Sequence, residues 1–175
     1  MSDNIHMSYN FTIRIAGLVE ESTVDGSGIR FAIFTQGCSH NCPGCHNPQT
    51  HDINGGEILE VDYIKELIKR NPLLKGITLT GGDPFNQVEP CTELAKFAHS
   101  IGLDVWTYTG YTFEQITSGI IAFGMNLLKE TDVLVDGPFI NSKRDLELLF
   151  RGSSNQRIID VKKSLEAKYI VLKYA

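Results

Sequence analysis

Three of the four cysteines stand at positions 38, 42 and 45, in the pattern Cys-x3-Cys-x2-Cys. Gly37, Pro43 and Gly44 let such a loop turn tightly enough for all three thiols to face inward. In a reducing compartment, cysteines clustered this way point to metal binding or catalysis more than to disulfides. Three thiolates can hold three irons of a cubane iron–sulfur cluster and leave the fourth without a protein ligand. A cluster that only passes electrons takes four cysteines. An open metal corner suggests chemistry there, as in catalytic zinc sites that keep one position free. Two other readings of the same residues stand beside this one. The thiols could hold structural zinc, with His40, His46 or His51 as fourth ligand. Alternatively, Cys91 could complete a four-cysteine electron-transfer cluster, although it falls in a predicted helix just after Pro90, where a small buried thiol is commonplace.

A second set of residues lies at predicted strand ends: Gly81-Gly82-Asp83-Pro84, Thr109-Gly110-Tyr111 and Asp136-Gly137-Pro138. Gly81 and Gly82 permit close approach of backbone to a ligand, and Pro84 fixes the turn. Asp83 suits a charge-assisted bond to a ligand's ammonium group, or a helix cap. Asp136 suits a contact to a ligand or cation, or a plain turn before Gly137.

The elements that must bring these residues together alternate along the chain. Strands are expected at 11–15, 30–34, 76–80, 103–108 and 132–136, with a last one over 169–174. Helices are expected at 61–70 and 88–101, and in part over 113–128, where Gly119 and Gly124 weaken the pattern. Residues 36–56 read as a long polar loop, and a loop of that length inside a domain is usually functional. Alternating strands and helices imply an α/β fold with a mainly parallel sheet, whose ligands sit at the carboxyl ends of the strands. A closed eight-fold barrel takes about 250 residues. A chain of 175 residues is therefore expected to form a single-domain, partial (open) β/α barrel.

Composition narrows the setting. Hydrophobic residues make up 42% and charged residues 21%, an ordinary globular mix. The net charge of −5 argues against nucleic acid as the main partner, while leaving room for a local basic patch at Lys143, Arg144, Arg151 and Arg157. No apolar run approaches the roughly 20 residues that span a bilayer, and the polar N-terminus lacks a signal core, so no membrane partner and a cytoplasmic location are expected. Residues 1–10 are expected to be a flexible N-terminus ahead of one domain, 11–175.

The cysteine triplet followed by Gly-Gly-Asp-Pro resembles the radical S-adenosylmethionine superfamily. Within it, the chain is similar to the family that activates anaerobic ribonucleoside-triphosphate reductases. The likeness runs through Val24-Asp25-Gly26-Ser27-Gly28-Ile29-Arg30, Cys42-Pro43-Gly44-Cys45-His46-Asn47-Pro48 and Trp106-Thr107-Tyr108-Thr109-Gly110-Tyr111. It continues through Val133-Leu134-Val135-Asp136-Gly137-Pro138-Phe139 and Phe150-Arg151-Gly152-Ser153-Ser154-Asn155-Gln156-Arg157. The resemblance implies one [4Fe–4S] cluster on Cys38, Cys42 and Cys45, with S-adenosylmethionine chelating the open iron. It implies cofactor contacts from Gly44, His46, Gly81, Gly82, Asp83 and Asp136. Gly44 and His46 replace aromatic residues common in the superfamily around the last cysteine, which leaves the adenine contact there open between stacking and hydrogen bonding.

The implied reaction is reductive cleavage of the cofactor to a 5′-deoxyadenosyl radical, which takes a hydrogen atom from a glycine of the large catalytic subunit of the reductase. Flavodoxin or ferredoxin would supply the electron. Arg151 and Asn155 are expected to dock that subunit or to seal the open barrel. The competing functions are an activase of another glycyl-radical enzyme, of the pyruvate formate-lyase type, and a zinc-stabilised interaction module without catalysis.

Overall fold

Strand β1, Thr12–Ser22, opens with Ile13 and Ile15 buried between more exposed neighbours, the alternation of a sheet with one covered face. In this computed structural model, which describes residues 10–174, β1 belongs to a sheet of eight strands. The others are β2 (Arg30–Thr35), β3 (Glu57–Glu60), β4 (Gly76–Gly81), β5 (Asp104–Tyr108), β6 (Val133–Asp136), β7 (Arg157–Asp160) and β8 (Leu172–Tyr174). Their spatial order is β3-β1-β2-β4-β5-β6-β7-β8, an open sheet whose two end strands do not meet.

The centre is parallel: β2 pairs with β4, β4 with β5 and β5 with β6. The helices α1 (Val61–Lys69), α2 (Val88–Ser100), α3 (Phe113–Thr117) and α4 (Gly124–Lys129) lie in the connections between these strands. Helix α5 (Val161–Ala167) separates β7 from β8. The parallel centre agrees with the alternation of strands and helices in the sequence. Antiparallel additions on both sides, β1 and β3 at one edge and β7 and β8 at the other, make the sheet mixed.

The helices cover one face. Val61, Ile64, Leu67 and Ile68 of α1 and Cys91, Leu94, Ala95 and Ala98 of α2 pack with Phe31, Ile33, Ile77, Leu79, Val105 and Leu134 of the central strands. The next residue along each strand points the other way. Trp106, Val133, Val135 and Ile158 form a smaller cluster there, with Tyr108 and Phe150 against it. On the same face lies Arg30, fully buried. Its guanidinium donates to Thr78 Oγ1 at 2.7 Å and to the Ile77 carbonyl at 2.6 Å, pairs with Asp104 at 2.6 Å, and stands 5.4 Å over the Trp106 ring. A buried cation is tolerable only when paired and hydrogen-bonded in this way.

The helix expected over 113–128 is two. Helix α3 ends just before Gly119, and α4 starts after Phe123, whose φ of 58° is left-handed. Residues 36–56 are irregular apart from one 3-10 turn, Pro48–Thr50. Among the described residues, no helix is long and apolar enough to cross a membrane. The flexible N-terminus expected at 1–10 falls, but for its last residue, outside the described residues.

Candidate cluster-binding cleft

The chain leaves β2 through Thr35 and Gln36 and enters the cysteine loop at Gly37. This entry is tied down from two sides. Gly37 N–H donates to the Thr50 carbonyl at 2.7 Å, and the Gly37 carbonyl accepts from Asp83 N–H at 2.9 Å. Gly82 N–H donates to the Thr35 carbonyl at 2.7 Å. A Cβ on Gly82 would lie 2.4 Å from the Gly37 oxygen, and one on Gly81 2.6 Å from the Phe34 Cα. The glycines at the end of β4 thus allow backbone to approach backbone, which draws the cysteine loop against the end of the sheet.

Cys38, Cys42 and Cys45 all open onto one cleft of about 120 Å³ at this edge. Gly81 and Gly82 at the end of β4, Thr109 and Gly110 after β5, and Gly137 after β6 line it as well. The three parallel strands thus deliver their carboxyl ends to the three thiols, the position at which open α/β sheets bind ligands. Cys38, Cys42 and Cys45 are all half-buried, whereas Gly44 and His46 are exposed. Burial raises the Cys38 thiol above the ordinary value. The backbone N–H groups of His40 and Asn41 act against that rise, while the charges of Asp83 and Cys42 add to it. Among the described residues, no three His, Cys, Asp or Glu side chains converge on a single point as one ion would require.

Cys91 is elsewhere. It is fully buried on α2 within the core, where burial pushes its thiol up, and it is not a wall of the cleft.

Asp83, expected to reach a cofactor, is turned inward. It has no exposed surface and accepts from Phe85 N–H at 2.9 Å, Gly110 N–H at 3.0 Å, Thr109 Oγ1 at 2.9 Å and His40 Nε2–H at 2.8 Å. The capping reading of this residue is the one the geometry fits, since these donors take up the carboxylate. Asp136 is likewise engaged within the protein rather than in the cleft. It is 1% exposed, accepts from Phe113 N–H at 2.7 Å, and receives the Arg157 guanidinium on both oxygens. Arg157 also grips Glu114 at 2.7 and 3.0 Å, a bridge between β7, β6 and α3 that nothing in the sequence pattern indicated.

His46 packs beside Phe139, with ring centroids 5.1 Å apart, at a second cavity of about 370 Å³. This cavity shares Cys45, Thr80, Tyr108, Phe139 and Gln156 with the cysteine cleft. Gly44 faces Asn141, whose Oδ1 would lie 2.9 Å from an added Cβ. Arg151 and Asn155 belong to a segment fastened over this region. Gln156 Nε2 donates to the Gly137 carbonyl at 3.1 Å, Asn155 Nδ2 to the Pro138 carbonyl at 2.8 Å, and Arg151 Nη1 to the Gln156 carbonyl at 3.0 Å. Arg151 Nε and Asn155 Oδ1 are buried without a hydrogen-bond partner among the described residues. Tyr108 lines both cavities, and it is not among the contacts expected from the sequence.

Comparison with known proteins decides the family. The family described as "4Fe-4S single cluster domain" matches residues 24–159. The anaerobic ribonucleoside-triphosphate reductase-activating protein of Escherichia coli (strain K12) is 35% identical over 142 residues, 76% of this chain and 89% of that protein. The protein of the same name from Enterobacteria phage T4 is 35% identical over 141 residues, covering 77% and 86%. That of Haemophilus influenzae is 33% identical over 144 residues, covering 77% and 90%. This chain belongs to the family of anaerobic ribonucleoside-triphosphate reductase-activating proteins. Among solved structures, QueE from Escherichia coli overlaps it at a TM-score of 0.47 and 18% identity, over 63% of this chain and 57% of that one.

An iron–sulfur cluster is the resident group of this family, and the chain's donor set fits one. Three soft thiol donors open onto a shared cleft, and the burial that raises the Cys38 thiol is the kind of cost a bound cation offsets.

Proposed function

We propose that the chain holds one [4Fe–4S] cluster on Cys38, Cys42 and Cys45, cleaves S-adenosylmethionine reductively, and generates the glycyl radical on the large catalytic subunit of an anaerobic ribonucleotide reductase. The observation that carries this reading is the meeting of the three thiols with the carboxyl ends of β4, β5 and β6 in one cleft. When bound, the cluster supplies the electron that breaks the cofactor's sulfonium bond, drawn in turn from a flavodoxin or ferredoxin.

The chain's own residues bind, orient and enclose. Backbone carbonyls at Gly81 and Gly82 are the acceptors for the cofactor's ammonium group, since the side chain of Asp83 is committed elsewhere. Asp83 and Asp136 act one step back, fixing the ends of β4 and β6 that carry those backbones. His46, beside Phe139, offers a ring face to the adenine next to the third cysteine, and Gly44 leaves room for the turn that brings it there. The segment holding Arg151 and Asn155 roofs the neighbouring cavity, and the exposed Leu146 lies at its edge. That edge is the surface for the reductase subunit, whose arrival would exclude water from the cleft.

The test is anaerobic reconstitution with iron and sulfide, reduction, and electron paramagnetic resonance with and without S-adenosylmethionine. The reading expects a cluster signal that changes on adding the cofactor, formation of 5′-deoxyadenosine, and a glycyl radical once the reductase subunit is added. A chain without a cluster, or a cluster indifferent to the cofactor, refutes it.

A further inference from the structure

We infer that His40, clamped between the Asp83 carboxylate, the Tyr111 ring and the Cα of Gly110, is the positioning residue that sets the Cys38–Cys42 span of the cysteine loop. This rests on the reading of those cysteines as cluster ligands.

The loop is fastened at both ends and almost nowhere between. At its start, Gly37 is bonded to Thr50 and Asp83, and Cys38 N–H donates to the His51 carbonyl at 3.2 Å. At its far end, Thr50 N–H closes back on the Asn47 carbonyl at 3.0 Å. Among the described residues, the stretch 39–44 makes one hydrogen bond to the body of the protein, from His40 Nε2–H to Asp83 Oδ2 at 2.8 Å. The imidazole is held on its other sides too. It stands edge-on to Tyr111 with centroids 4.5 Å apart, and a Cβ on Gly110 would lie 2.4 Å from its Cδ2.

The ring therefore fixes the backbone of residue 40, midway between Cys38 and Cys42. Asn41 has a left-handed φ of 46°, a conformation that Asn tolerates and that needs its neighbours held. Asp83 is rigid enough to be the anchor because three further donors hold it. A partner of this kind behind a metal ligand governs how long the metal stays as much as how well the site works.

The measurement is cluster lifetime. The unsubstituted chain and its variants are reconstituted anaerobically with iron and sulfide, challenged with a chelator, and followed by the cluster's visible absorbance, with apo-protein melting recorded beside it. His40→Ala is expected to lose its cluster about tenfold to a hundredfold faster. His40→Gln, whose amide can still donate to Asp83, recovers most of the lifetime. His40→Phe, which keeps a ring against Tyr111 but has no donor, does not. Gly110→Ala, which pushes the ring aside without removing it, shortens the lifetime as well. His40→Ala combined with Asp83→Asn decays no faster than Asp83→Asn alone, since the histidine acts through the carboxylate. A His40→Ala cluster that lasts as long as the unsubstituted one overturns the inference, whatever the apo protein's melting temperature. If His40→Phe equals His40→Gln, the hydrogen bond is not the tether. Failure of the unsubstituted chain to take up any cluster removes the reading of the cysteines, and the strut with it.

Discussion

A methyl group on Gly82 would meet the carbonyl oxygen of Gly37 at 2.4 Å, and backbone atoms cannot swing aside as a flexible side chain can. Gly82→Ala is therefore expected to destabilise the fold by about 1–3 kcal/mol and to shift the start of the cysteine loop. Urea unfolding measures the first effect and iron content after reconstitution the second. The cysteines should divide sharply in the same assay. Alanine at 38, 42 or 45 should abolish stable cluster formation, whereas Cys91→Ala should load iron and sulfide like the unsubstituted chain, because Cys91 faces the core. The three clustered cysteines were legible from spacing alone. Asp83 was legible only as two alternatives, ligand contact or cap. What supports the cap is a set of donors drawn from positions 40, 85, 109 and 110, which no linear pattern brings together.

Arg157 holds three elements at once. It joins β7 to Asp136 at the end of β6 and to Glu114 in the first turn of α3. Its hydrogen bond holds the Glu114 carboxyl down to about 2, so this part of the link is present above the ordinary carboxylate range and is lost only as pH falls through about 2. Arg157→Ala would leave the buried Asp136 charge without its cation, at a cost of about 2–3 kcal/mol given that Arg157 is itself partly solvated. Arg157→Lys should recover only part of it, since one ammonium cannot replace a fork that serves two carboxylates. Denaturant midpoints of the two variants test this.

His99, at the end of α2, reaches Asp132 at 2.9 Å and Glu130 at 3.1 Å. Burial alone would lower its pKa, but these two carboxylates raise it above the ordinary 6.5. Its contribution is thus complete at mildly acidic pH and fades as pH rises through the raised value. The melting-temperature difference between the unsubstituted chain and His99→Gln should shrink toward alkaline pH, from a stabilisation of less than about 1 kcal/mol for so exposed a pair. The elements missed in the sequence are the short ones. Strands β3 and β7 have four residues each and show no clear alternation; β3 forms along the edge of the longer β1, and β7 along the edge of β6. The two glycines at 119 and 124 did mark the place where the third helix breaks.

Across the whole molecule, the parallel centre was readable because β2, β4, β5 and β6 are separated by helical stretches, and parallel neighbours need such crossovers. The antiparallel margins were not, since they depend on which edge a returning chain meets. The same distinction bears on how the protein matures. The seat of the cysteine loop is made by residues far away in the chain: Gly37 rests on Gly82 and Asp83, and His40 on Asp83 and Gly110. Such distant contacts form only when the sheet has already assembled. Iron uptake should then follow folding instead of driving it, the reverse of a zinc finger, which is unfolded until its metal arrives. The apo chain should melt cooperatively with near-complete secondary structure by circular dichroism, and the delivery machinery of the cell would meet a finished receptacle that can be emptied by oxygen and refilled without new synthesis.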